Sequence, residues 1–212
     1  MAERYIAEYK HVRLLECDLT EADLSDLNLD HWHFEDCTIA RATFDDASLE
    51  GAVFKACRGP FASFIGSELT EASFDGCDLN NASFRRSTLT YASFRSCKLT
   101  GADLTDAKAL GVSLADVMLS LSKLPKLSFK KANLTDVNFS EADLHGCDFR
   151  YAVFERCSLK DAYLVDCKFQ SADLRGADLG GIRLTEAQYF KGAVVSKDQA
   201  ARLIEQLGLK VA

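Results

Sequence analysis

Eight cysteines, four histidines and 32 acidic residues are the side chains of this 212-residue chain with the means to do chemistry. A zinc site would need cysteine or histidine pairs a few residues apart. The cysteines stand instead at 17, 37, 57, 77, 97, 147, 157 and 167. No C-x-x-C occurs, and spacings of ten and twenty suit no common metal site. His31 and His33 lie close together but lack a third ligand, and His11 and His145 stand apart. The paired carboxylates Glu35-Asp36 and Asp45-Asp46 read as surface charges rather than an acid and base in a cleft. There is no glycine-rich phosphate loop and no G-x-S-x-G. The expectation is therefore a chain without catalytic, cofactor or metal site. The net charge of −7 disfavours direct nucleic-acid binding and favours a basic partner surface.

What the cysteines do is set by a repeat. Every fifth residue from Leu14 to Tyr189 gives 36 positions, of which 33 are Leu, Phe or Ile; Gly59, Ala109 and Tyr189 are the exceptions. Twelve of the 14 phenylalanines fall on this register. Two residues earlier in each unit lies a second set, and 28 of its 36 members are Ala, Ser or Cys, all eight cysteines included. A five-residue period matches neither a helix nor a flat strand. It fits a solenoid in which each unit forms one side, points one large and one small residue inward, and turns a corner. The cysteines are then small, soft packing residues. Reduced thiols are expected, although sulfurs stacked on neighbouring coils would in principle be near enough to bridge.

Like residues recur every twenty: Cys17 to Cys97, Phe34 to Phe94, Phe44 to Phe84, Leu29 to Leu89. Four units per coil would stack each kind of side chain on its own kind. Residues 12–191 then make nine coils, at roughly 4.8 Å per coil. The register predicts no inserted loop. Pro60 and Pro125 follow an inward residue, at a corner that tolerates a missing N–H. Trp32 and Leu27 occupy small-residue slots and read as plugs for the mouth of the first coils.

The fold class expected is an all-β solenoid ending in a short α-helix. Residues 1–11 read as an N-terminal extension or cap, 12–191 as the solenoid and 192–212 as a helical tail. Ser196 to Gln199 form a capping-box pattern, and Leu203, Ile204 and Leu207 make one apolar stripe, so a helix is predicted over 197–207. The tail either folds back over the last coil or pairs with a second copy, which makes these three residues the expected dimer interface. No apolar run is long enough to span a membrane. The first residues lack the apolar core of a secretory signal, and a cytoplasmic location is expected.

Charge is uneven. Residues 1–80 hold 17 acids and 6 bases, whereas 81–131 hold 3 acids and 9 bases. At a spacing of twenty, Glu16, Asp36, Asp116 and Asp136 share one column. Asp26, Asp46, Asp106, Asp166 and Glu186 share another. These are the candidate partner-binding residues; the plain alternative is a solvated face. In 107–128, Leu110, Met118 and Leu121 fall on outward positions beside Lys123, Lys126, Lys130 and Lys131. This is either an exposed apolar-basic patch or a local deformation that tucks the apolar residues in, and the second is favoured.

The unit, as in Ala102-Asp103-Leu104-Thr105-Asp106, resembles the pentapeptide-repeat family. The resemblance implies a right-handed, four-sided β-helix. Chain length, continuous repeats and the closing segment from Gly192 to Leu209 further resemble the members that protect bacterial gyrase from quinolones. That resemblance implies a homodimer through the tail, a rod of DNA-like width, and docking of its acidic faces on DNA gyrase or topoisomerase IV. Some such members carry projecting loops, for which this register leaves no room. The alternative is a non-catalytic scaffold for another protein.

Overall fold

The computed structural model describes residues 12–181 and 183–210. The expected cap at 1–11 lies outside the described residues.

The chain winds as an all-parallel β-solenoid. One face carries nine strands in sequential order. They are β1 (Arg13–Leu15), β2 (His33–Glu35), β3 (Val53–Lys55), β4 (Ser73–Asp75), β5 (Ser93–Lys98), β6 (Ser113–Met118), β7 (Asn133–Asn138), β8 (Val153–Ser158) and β9 (Asp173–Asp178). Leu14 aligns with Phe34, Phe34 with Phe54 and Phe54 with Phe74, so one coil is twenty residues. The other three faces are held by single bridges at the same offset, such as Asp18 to Thr38, Asp23 to Thr43 and Asn28 to Ser48. Ladder bonds such as Phe44 N–H to Ser63 C=O, 2.7 Å, satisfy the backbone between coils.

Corners explain the five-residue unit. The fifth residue of every unit from Glu16 to Gly181, Gly176 apart, has a positive φ. Twenty-six of these are not glycine, with φ between 50° and 62°. A β-branched residue is badly strained there, and none of these corners is Val, Ile or Thr. Many corners close with an N–H to C=O bond three residues back, such as Ala47 to Phe44 at 3.2 Å.

The large inward residues form continuous columns. Phe34, Phe54, Phe74 and Phe94 stack at 4.6–4.8 Å, and Phe44, Phe64 and Phe84 at 4.9 Å. The two columns meet edge to face at 5.7–5.9 Å. Leucines replace the rings in mid-rod, and a second stack begins with Phe129, Phe149 and Phe169 at 5.0–5.2 Å. Ala109 sits at that change of columns, beside a residual void of about 10 Å³. At the N-terminal end Trp32 is buried against Phe34, while Leu27 is half-buried.

The repeat does not run unbroken to 191. The pairing of β8 with β9 shifts register at Glu155 and Gly176. A Cβ on Gly176 would lie 2.5 Å from the Phe154 carbonyl oxygen, so glycine is what allows this approach. A 3₁₀ helix, Leu184–Phe190, replaces the end of the ninth coil. Phe190 therefore takes the inward place expected for Tyr189, stacking on Phe169 at 4.7 Å, and Ala187 is exposed. The tail helix α1 spans Lys197–Glu205, two residues shorter than expected, with the capping box formed reciprocally by Ser196 and Gln199.

Leu110, Met118 and Leu121 do not tuck in. They are 63%, 44% and 58% exposed, because β6 keeps its register and the inward places are already filled by Val112, Leu114, Val117 and Leu119. Leu110 lies in the unit 107–111, two sides removed from the unit 117–121 that holds Met118 and Leu121. The stretch is thus two separate patches near opposite corners.

Candidate interaction surface

The acidic residues divide by their place in the unit. At the second place, Asp and Asn side chains accept the N–H two residues on: Asp18 from Thr20 at 3.0 Å, Asp103 from Thr105 at 2.9 Å, Asn138 from Ser140 at 2.9 Å, Asp143 from His145 at 3.1 Å. These side chains brace the turn. The frequent Asp of the repeat is therefore a corner device. The sequence signal was its fixed place just before the inward Leu or Phe.

Two braces also hold arginines. Asp148 grips Arg150 through two contacts at 2.8 and 2.6 Å, and Asp173 grips Arg175 likewise. The guanidinium holds each carboxyl below its ordinary pKa. A carboxyl depressed in the folded state contributes stability above its unfolded pKa, about 3.9. That contribution disappears as pH falls through the lower folded value. The urea midpoint should therefore drop between pH 5 and pH 3, and Asp148→Asn with Asp173→Asn should flatten the drop. An unchanged pH profile in the double variant would contradict this origin.

The fifth-place acids are different. Glu16, Asp36, Asp116 and Asp136 lie along one corner, and Asp26, Asp46, Asp106 and Asp166 along the diagonally opposite one; all are exposed. The structure thus brings each predicted column together, with interruptions. Ala56, Gly76 and Ser96 break the first, and Gly66, Arg86, Lys126 and Gly146 the second. Asp136 is neutralised by Arg156 through two 2.7 Å contacts, which lower its pKa. Glu186 leaves its column: it lies in the 3₁₀ helix and accepts the Arg183 N–H at 2.9 Å. The free acids are densest over the first two coils.

The thiols face inward. Seven are buried, and only Cys17, in the first described coil, is half-buried. Cys57, Cys77 and Cys97 donate to the carbonyls of Phe34, Phe54 and Phe74 at 3.3–3.4 Å. Burial pushes the Cys37, Cys147 and Cys157 thiols up and Cys167 to about 12. Among the described residues no group of His, Cys, Asp and Glu is arranged to hold a metal ion. Since the thiolate is the reactive form, Ellman's reagent should titrate Cys17 alone in the native protein and all eight thiols after denaturation. Fast reaction of several native thiols would contradict the buried column.

The tail helix closes the last coil. The Gln199 side-chain amide donates to the Leu174 and Ala177 carbonyls at 2.8 and 2.7 Å, taking up acceptors at the open sheet edge. Leu203 packs on the core, whereas Ile204 and Leu207 are 40% and 60% exposed. Of the expected dimer residues, one is thus used within the chain and two face outward. Between α1 and the last coils lies a cleft of about 950 Å³ lined by Arg156, Arg175 and Arg202. No helix among the described residues is long and apolar enough to cross a membrane.

Filled core, parallel stacked coils and braced corners define a quadrilateral β-solenoid. A family model described as pentapeptide repeats matches eight copies at residues 17–55, 67–106, 113–150 and 147–185, and the chain belongs to that family. Its fold is similar to that of full-length QnrB1, described as a plasmid-mediated fluoroquinolone resistance protein. The TM-score is 0.83 at 22% identity, covering 93% of this chain and 100% of that one. A trypsin-treated form of QnrB1 superposes with a TM-score of 0.60 at 25% identity, covering 95% and 99%. No curated protein matches the chain.

Proposed function

We propose that this chain is a non-catalytic interaction protein whose acidic rod occupies the basic DNA-binding surface of a type II topoisomerase, DNA gyrase or topoisomerase IV. The observation that carries the reading is the pair of exposed acidic tracks on opposite corners of one rigid rod. Two lines of negative charge flanking a stiff core are what a basic duplex-binding channel attracts. The fluoroquinolone resistance role of QnrB1, which shares the fold, supports the same direction. Outward-facing Ile204 and Leu207 supply a surface on which two tails would pair, doubling the rod and covering the C-terminal edge of each copy.

The test is supercoiling by purified gyrase as the protein is added, with and without a fluoroquinolone. The expected result is inhibition that fades as salt rises, with partial rescue from the drug. Absence of any effect at high protein concentration would favour the second reading, a scaffold for another protein. Exposed Met118 and Leu121, in one five-residue unit, support that alternative.

A further inference from the structure

One corner of the rod, formed by the fourth and fifth places of the units that end at His31 and every twenty residues after it, changes character along its length. Glu50 and Glu71 are followed by Tyr91 and Leu110, then by Lys130 and Lys131. Tyr91 and Leu110 are 61% and 63% exposed, and the four charged residues are exposed as well. A Cβ on Gly111 would meet the Tyr91 ring at 2.6 Å, so the ring lies flat across that glycine beside Leu110. Glu50, Glu71, Lys130 and Lys131 form no ion pair among the described residues. The sequence along this corner is therefore acid, apolar, base, with an apolar centre that nothing covers.

That order is self-complementary under a two-fold rotation. Place the axis midway between the coils of Tyr91 and Leu110, with a second rod antiparallel to the first. Tyr91 then faces the partner's Leu110, Glu71 faces the partner's Lys131, and Glu50 approaches the partner's Arg150. Each contact occurs twice, as an isologous interface requires. The adjoining face helps, because its outward residues next to this corner are short, Ser73, Ser93, Ser113 and Asn133, with the exposed Asp75 and Arg95 set further across the face. Under the same rotation Ser93 meets the partner's Ser113, and no charge of like sign is brought into register on that strip.

We infer that this corner is a lateral self-association surface, on which a second copy of the chain docks antiparallel with Tyr91 and Leu110 at the centre. It is separate from the tail and does not depend on the topoisomerase reading. Exposed charge pairs are individually weak and screened by salt, so the pairing is expected to be modest in affinity and lost at high ionic strength.

The test is sedimentation of the full chain carrying Leu207→Glu, so that tail pairing does not contribute. The parent should shift toward twice its mass as concentration rises at low salt, and revert at high salt. Lys130→Glu with Lys131→Glu should stay monomeric, as should Glu50→Lys with Glu71→Lys, because each places like charges opposite one another. An equimolar mixture of the two should associate at least about tenfold more tightly than either alone. All four sites are exposed, and circular dichroism and melting curves will show that the variants stay folded. A parent that remains monomeric at every concentration overturns the inference. So does a mixture that associates no better than its components.

Discussion

Phe74→Ala should lower the unfolding free energy by about 3–5 kcal/mol, the cost of emptying a buried aromatic site. Phe74 is 1% exposed, stacked between Phe54 and Phe94 at 4.8 and 4.7 Å, and met edge-on by Phe64 and Phe84. Its removal opens a gap that rigid neighbours on four sides cannot close. Coils of a solenoid couple chiefly to their nearest neighbours, so the gap should also part the first coils from the rest and split the urea transition into two. Phe61 is the control. It lies outside the register, is 54% exposed under the Arg41 guanidinium, and its truncation should change stability by no more than about 0.5 kcal/mol. Equal effects of the two substitutions would contradict the stacked interior.

The second large effect concerns the acidic tracks. Reversing Asp26, Asp36 and Asp46 to Lys should raise the concentration needed to inhibit gyrase by more than about tenfold, since charge reversal turns attraction to a basic surface into repulsion. The three are exposed and spent on no turn, so the melting temperature should hold. A charge-matched control is available at Glu71, Glu141 and Asp161, which stand at the other two corners. Reversal there should leave inhibition within about twofold, because long-range charge outside the contact is screened. Equal losses in both variants would mean that net charge, rather than its placement, drives binding.

Much of the architecture was legible because burial acts on residue size at a fixed period. The inward Phe and Leu columns, the twenty-residue coil and the capped tail helix all follow from spacing, and the structure reproduces each. The exchange of Tyr189 for Phe190 was not legible, because it depends on the 3₁₀ helix, which takes up one extra residue so that Asp173 bridges Val194 at an offset of twenty-one. The local slip at Gly176 is a separate backbone approach to Phe154, and the pairing is back in register at Cys157 and Ala177. Phe190, off the register by one, was the signal present. Leu110, Met118 and Leu121 were read as tucked in on the general rule that apolar residues seek the interior. The rule fails there because the small and large inward slots of those coils were already occupied. The acidic surface was half legible. Spacing located the columns, and the second place of the unit marks the aspartates that brace corners, but only the structure shows which column acids are not free. Asp136 and Glu186 are the two candidates so reassigned, one by Arg156 and one by the 3₁₀ helix.

On the proposed reading, the rod takes the place of duplex DNA. Competition measures this directly: labelled linear DNA bound to purified gyrase is titrated with the protein while DNA release and protein binding are both followed. Mutually exclusive occupancy is predicted, each bound protein displacing DNA, and the triple reversal of Asp26, Asp36 and Asp46 failing to displace it. A ternary complex in which gyrase holds both together would contradict it.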